Sequence, residues 1–576
     1  MQRTQDYRSK IIPTLSAALY LTACSQSPTS LSLSSNNGLD WCFSGGPIYT
    51  AEDEMPFAEA LAVKDGEIRY VGSNTNNWCD ANAGPNAQNI SLSGQTLFPG
   101  FTDAHGHLIG IGLREMTLNL EGTASIDDLK TRLAVEVAKT PLGETIYGRG
   151  WIETHWPEGR FPTRSDLDTI APQHPVILER ADGHAVIVNT QALKKAGVTK
   201  ETQAPFGGDI LKDTDGEPTG MLIDKASNLV MDLMAELTTE RKAQAYAAGA
   251  ALYVKRGWTN IHSMSVDPAD VAIMEELARK GELQLRVYNA LDVMDRMNVE
   301  DVKRVSQDKS DLITTRAIKL YSDGALGSRG AALMEPYADD PDNEGLLLVT
   351  REKIMPILKN ALRDGVQINT HAIGDRANKL VLQWYQEAME DVPASERKTK
   401  EPRWRIEHAQ ILDRADIPKF KSLGVIPSMQ PSHAIGDLHF APDRLGKDRL
   451  AGGYAWRSLI DSGSIIAGGS DAPVEVGDPL IEFYAATIRK DMKGYSNENW
   501  YLNEKVTRQE ALKMFTLWPA IAAFEDDKTG SLKVGKRADI TIFDQDIMTI
   551  TGPDILKTKA VMTIVDGKAV YSASPN

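Results

Sequence analysis

The chain has 576 residues, 42% of them hydrophobic and 25% charged, with 63 basic against 79 acidic side chains and a net charge of −16. That length exceeds one ordinary domain and allows a large core, and the acidic balance argues against a phosphate-backbone partner. No apolar run approaches the ~20 residues needed to span a bilayer, so neither a nucleic-acid binder nor an integral membrane protein is expected.

The chain opens on "MQRTQDYRSK", with Arg3, Arg8 and Lys10, followed by the apolar "IIPTLSAALYLTA". A basic start before a short apolar stretch is the pattern of an export signal. It ends in "LTAC", Leu21 to Cys24, which resembles the bacterial lipobox. The resemblance implies a signal over 1–23 and lipidation of Cys24, which becomes the mature N-terminus; a plain secretory signal with an incidental cysteine is the alternative. Ser25 resembles signals that sort to the outer membrane. "SQSPTSLSLSSNN" completes a flexible tether over 24–37. An exported lipoprotein is expected, held at the cell envelope by its lipid alone. Only Cys42 and Cys79 remain beyond it, and an oxidising compartment permits a disulfide between them; two buried thiols are the alternative.

Residues 38–97 show short alternating stretches separated by turns, among them "KDGE" at Lys64 to Glu67, a hairpin signal. The segment 530–576 repeats that character in "KRADITIFD" and "AVMTIVDGKAVYS". Neither end supplies strands enough for an independent domain, so one small β-sandwich built from both termini is predicted. Between them, over 98–529, eight apolar strand candidates follow: "FPGFTDAHGH", "WTNIHSM", "LRVYNALD", "AIKLYSDG", "VQINTHAIGD", "RWRIEHAQ", "GVIPSMQ" and "SIIAGGSDAPV". From the second onward the connections are long enough for helices, for example "ADVAIMEELARKGE" and "KIMPILKNALRDG". Such alternation predicts an α/β fold, a (β/α)8 TIM barrel. The first connection, about 109–257, is too long for one crossover and must hold an insertion, in which "PVILERADGHAVIVNTQAL" reads as strand structure.

Barrel enzymes place their site residues at the C-terminal strand ends. Here those ends carry His105 and His107 on the first strand, Lys319 on the fourth, His371 on the fifth, His408 on the sixth and Asp471 on the eighth. Each has an ordinary reading alone: a packed core histidine, or an N-cap aspartate. Lys319 resists one, because an unpaired ammonium in an apolar strand is costly. Residues two apart on a strand face the same way, so both histidines of H-x-H can meet one ion. Imidazole and carboxylate donors suit zinc, or manganese or iron.

"PGFTDAHGHL", "IKLYSDGALGSRGAAL", "NTHAIGDRA", "RIEHAQ", "GSDAPV" and "GSLKVGKRADITIFD" together resemble the amidohydrolase superfamily, and more narrowly its YtcJ-like branch, amidohydrolase family 3, which includes N-substituted formamide deformylases. The resemblance covers residues 40 to 572. It implies that His105, His107 and Asp471 hold one divalent ion and His371 with His408 another, with Lys319 bridging them as an N6-carboxylated carbamate; with a single ion, Lys319 stays unmodified. It implies hydrolysis of a C–N bond in an amide, formamide or cyclic amide, with Asp471 as general acid and base. Hydrolysis of an ester, lactone or carbamate, deamination of a heterocycle, and an inactive lipid-anchored binding protein are the rivals. His184 in "RADGHA" matches a family position for orienting substrate, or packs within the insertion. Trp151, His155 and Trp156 line an aromatic pocket or pack, His262 is read as packing, Asp103 as a partner behind the ligands, and His433 and His439 stay unassigned. The expected partner is a small-molecule substrate; a homodimer is left open.

Overall fold

The computed structural model describes residues 38–573 apart from 154–155, 182, 184, 206–207, 235–236, 293–299, 306–309 and 497–499. Eight parallel strands lie side by side: β1 (Phe101–Gly106), β2 (Trp258–Val266), β3 (Arg286–Asp292), β4 (Ile313–Tyr321), β5 (Gln367–Ala372), β6 (Arg405–His408), β7 (Ile426–Met429) and β8 (Ala467–Gly468). All eight coincide with the apolar segments singled out in the sequence. β8 is only two residues long, and its ladder to β1 is completed from the flanking loops. Asp471 N donates to His105 O at 2.6 Å and His107 N to Ala472 O at 2.8 Å. Asp103 accepts from Ser470 N at 2.9 Å and from Ser470 Oγ at 2.5 Å, which fastens the same seam. The result is a TIM barrel, with two further sheets.

The helices around it form where apolar residues recur at three- and four-residue spacing. In Arg351–Asp364 the buried stripe is Ile354, Ile357, Leu358, Ala361 and Leu362, and the helix stops at Gly365 in the left-handed region. The helix after β1, Leu108–Met116, crosses Thr239–Arg256 at very short range. A Cβ on Gly112 would stand 1.7 Å from Ala245 O, and one on Gly249 would stand 2.7 Å from Leu108 O, so both positions require glycine.

The terminal segments form one continuous sheet with the strand order 568–572, 560–565, 540–543, 96–99, 41–49, 57–64 and 67–72, and with 88–91 beside 41–49. Both D-G turns are present, with Asp65, Gly66, Asp566 and Gly567 all at positive φ, as a tight hairpin demands. One edge of the sheet reaches back to the segment that leads into 540–543: Ile68 N donates to Lys536 O at 2.8 Å and Ala538 N to Gly66 O at 2.8 Å. Between its halves lie Trp41, Phe43, Leu61, Val63, Leu97, Ile540, Ile542 and Ile564. The predicted β structure built from both termini is therefore present, as one continuous sheet packed around this core. A disulfide joins Cys42 to Cys79, with Cα atoms 5.7 Å apart. Strand 96–99 runs straight into β1, which seats this sheet against the starting ends of the barrel strands.

The long first connection carries a six-stranded sheet ordered 208–212, 218–224, 185–188, 176–180, 146–151 and 118–119. Both of its faces are covered. Leu129, Trp151, Trp156, Leu178 and Ile187 pack on one side, and Ile177, Val186, Val188, Leu193 and Leu222 on the other. That double burial explains why "VIL" and "AVIV" are unbroken apolar runs. Trp151 and Trp156 belong to this core, each giving its indole N–H to a backbone carbonyl.

Candidate metal centre

At the C-terminal ends of the barrel strands the imidazoles converge. The rings of His105 and His408 are 4.8 Å apart, those of His371 and His408 4.6 Å, and those of His105 and His107 5.6 Å. Asp471 Oδ1 lies 3.0 Å from His107 Nε2 and 3.4 Å from His105 Nε2. Lys319 Nζ is 3.4 Å from the same His105 nitrogen and sits over the Tyr321 ring. His105, His408 and Asp471 form the tightest trio, their ligand atoms all within 4.8 Å of one another. This trio crosses the two-ion division implied by the resemblance, because His408 stands as close to His105 as to His371.

The partner on the far side of each ring decides which nitrogen faces inward. His105 Nδ1 meets Glu407 Oε2 at 2.5 Å, His408 Nδ1 meets Gln430 Oε1 at 2.8 Å, and His107 Nδ1 meets Met264 O at 3.2 Å. The Glu407 and Gln430 oxygens accept, so His105 and His408 carry the hydrogen on Nδ1 and keep the Nε2 lone pair, whereas both His107 nitrogens face acceptors, Met264 O and Asp471 Oδ1. His371 is turned the other way: its Nε2 faces Gly324 O and Asp323 Oδ1, each at 3.5 Å, which puts the hydrogen on Nε2 and leaves the lone pair on Nδ1. Burial holds His105 and His408 well below the usual imidazole range, and burial together with the nearby Lys319 brings His371 down to about 3. These rings are neutral at pH 7. Despite its burial the Asp471 carboxyl, set against the imidazoles of His105, His107 and His408, is held well below the ordinary value. A carboxylate among neutral imidazoles with inward lone pairs fits a divalent cation.

Backbone geometry at the strand ends supports this convergence. His408 and Asp471 have φ of 72° and 61°, in the left-handed region that non-glycine residues rarely occupy. The turn at His408 lets neighbours 407 and 408 both reach the interior, which a regular strand forbids. Glu407 therefore escapes a reading based on alternation, and so does Gln430, just beyond β7. Asp103 does not touch a ligand ring. It accepts from His105 N at 3.1 Å, from Ser470 and from Tyr253 Oη, and so places the strand ends that carry the ligands. His433 stacks on His408, with its Nε2 3.6 Å from Asp471 Oδ2 and 3.9 Å from Glu475 Oε1. His439 instead pairs with Asp491 and stacks on Tyr495. His184, His155 and Cys24 lie outside the described residues.

The family model described as "Amidohydrolase family" matches residues 88–571. The chain belongs to the amidohydrolase family. The protein YtcJ of Bacillus subtilis (strain 168) is 32% identical over 537 residues, covering 92% of this chain and 99% of that one. The N-substituted formamide deformylase of Arthrobacter pascens is 26% identical, covering 91% and 97%. Among solved structures, an uncharacterized metal-dependent hydrolase from Pyrococcus horikoshii OT3 superimposes with a TM-score of 0.70 at 25% identity, over 89% of this chain and 99% of that one. Family and neighbour together support a metal-dependent hydrolase activity.

Proposed function

We propose that the protein hydrolyses a C–N bond in an amide, formamide or cyclic amide, using one or two divalent ions, zinc in the first instance. The observation that carries this reading is the pair of Nε2 lone pairs on His105 and His408, fixed inward beside the Asp471 carboxylate, with His107 against the same oxygen. The formamide-cleaving relative supports the choice of bond. His105, His107, His408, His371, Asp471 and Lys319 would hold the metal. A divalent ion there supplies polarisation of a substrate carbonyl and brings the pKa of water towards ~7. Asp471 takes the proton that the attacking water gives up and returns it to the departing nitrogen. Lys319 is buried and forms no ion pair with a carboxylate among the described residues. Loss of one proton frees the Nζ lone pair, and its addition to carbon dioxide with loss of a second proton would turn a repelling cation into an anionic ligand.

The test is a panel of N-formyl, N-acyl and cyclic amides, with lactone and heterocyclic amine controls. Chelation is expected to abolish turnover of at least one amide, and zinc or manganese to restore it. Purified protein that holds no divalent ion and cleaves none of the panel would refute the reading.

We further propose that Cys24 is lipidated and that the protein is held at the envelope by that lipid, a reading supported by "LTAC" and the basic-then-apolar start. No described helix is long and apolar enough to cross a membrane. Cys24→Ser is expected to move the protein from the membrane to the soluble fraction; continued membrane association would sink the proposal.

A further inference from the structure

One layer beneath the ligand histidines the barrel interior holds a guanidinium. Arg405, on β6, is wholly buried, yet it reaches three other strands. Its Nη2 donates to Ala104 O on β1 at 2.5 Å and to Ser428 Oγ on β7 at 2.7 Å. Its Nη1 donates to His262 Nδ1 on β2 at 2.9 Å. On its own strand it grips Glu407 with two nitrogens, Nε at 2.7 Å from Oε1 and Nη2 at 3.0 Å from Oε2.

Every direction in this chain of contacts is forced. A guanidinium cannot accept a hydrogen bond, so His262 Nδ1 keeps a lone pair and its Nε2 carries the hydrogen. Burial and the facing guanidinium both disfavour a charged ring there. Glu407 is fully buried, and an unpaired carboxylate would be costly at that depth. Its Oε2 accepts from Arg405 Nη2 and from His105 Nδ1, the latter at 2.5 Å. The line from His262 through Arg405 and Glu407 therefore ends on the inward lone pair of His105 Nε2. His262, which the sequence suggests is mere packing, is the far end of that line.

We propose that Arg405, aimed by His262, is a positioning residue: it fixes the Glu407 carboxylate behind His105 and so sets the affinity of the centre for its divalent ion. This rests on the metal-dependent reading above. Partners behind a metal ligand typically change metal affinity by ~10–100-fold when altered. Arg405→Lys keeps one cation but loses the fork, Glu407→Gln removes the anion, His262→Phe removes the acceptor, and His262→Gln restores one.

The experiment measures zinc affinity of the full-length protein by competition with a chromophoric chelator, and thermal unfolding of each metal-free form. Arg405→Lys and Glu407→Gln are expected to bind zinc ~10–100-fold more weakly, and His262→Phe to weaken binding as well. His262→Gln is expected to recover most of the His262→Phe loss. Cobalt-loaded Arg405→Lys is expected to show a shifted visible spectrum. Zinc affinities equal to the parent's in the folded variants, even with lowered unfolding temperatures, would mean that the network serves the core only and would overturn the inference. If Arg405→Lys does not fold, Glu407→Gln and the His262 pair decide on the same criterion. A parent that binds no zinc overturns the hydrolase reading and this inference together; a zinc-binding parent with unchanged variants overturns this inference alone.

Discussion

Asp471→Asn is expected to lower kcat/KM for the amide substrate by ~10²–10⁴-fold while the fold is retained, the usual range for losing a positioned acid–base group. The two side chains have the same shape, so the contacts of Ser470 and Ala472 with β1 are unaffected. The amide, however, cannot hold the proton in transit, and it removes the one carboxylate in the tightest ligand trio. Both oxygens of Asp471 are engaged, Oδ1 by His105 and His107 and Oδ2 by His433. Steady-state kinetics with circular dichroism and metal analysis check this. Parental turnover in a folded Asp471→Asn protein would remove Asp471 from the mechanism.

Arg286→Met is expected to cost about 3–5 kcal/mol of stability, the scale for removing one partner of a buried ion pair. Arg286 opens β3 and points down towards the terminal sheet. There its Nε lies 2.5 Å from Asp539 Oδ2 and its Nη2 3.0 Å from Asp566 Oδ1. Burial alone would lower its pKa, but the two aspartates outweigh that and raise it. Without the guanidinium, Asp539 is left buried between barrel and sheet with no cation in contact. The measurement is urea unfolding of parent and variant. A second substitution, Asp539→Leu, is expected to recover much of the loss, because an apolar pair of similar volume replaces an orphaned charge. A change below about 1 kcal/mol for Arg286→Met would show that the pair contributes no more than an exposed one.

The barrel is legible because parallel strands covered on both faces leave largely apolar runs such as "RVYNAL" and "AIKLY", and because six chemically unusual residues fall at their ends. The network under the centre is not legible. A period of two places Glu407 on the face opposite His408, and "RWRIEH" reads as alternation with Arg405 directed outward; the left-handed turn at His408 defeats that rule. β8 is also poorly marked, since "SIIAGGSDAPV" suggests a full strand and only Ala467 and Gly468 pair. The contact between the 67–72 edge of the terminal sheet and the lead-in to 540–543 depends on residues such as Ile68 and Lys536, hundreds of positions apart, and no local pattern encodes that meeting. The insertion shows itself through "PVILER" and "AVIV", while its strand 146–151, interrupted by Gly148 and Gly150, does not.

The seam between β8 and β1 carries a further consequence. Its hydrogen bonds come largely from loop residues 469–472, and the proposed ligands stand on both banks, His105 and His107 on one and Asp471 on the other. An ion bound to all three would therefore act as a rivet through the joint of a hoop. Because a ligand that binds the closed form stabilises it by mass action, occupancy of the centre and closure of the barrel are one equilibrium. In the metal-free protein, local opening should begin at this joint, as amide hydrogen exchange at Ser470 and Asp471 would register.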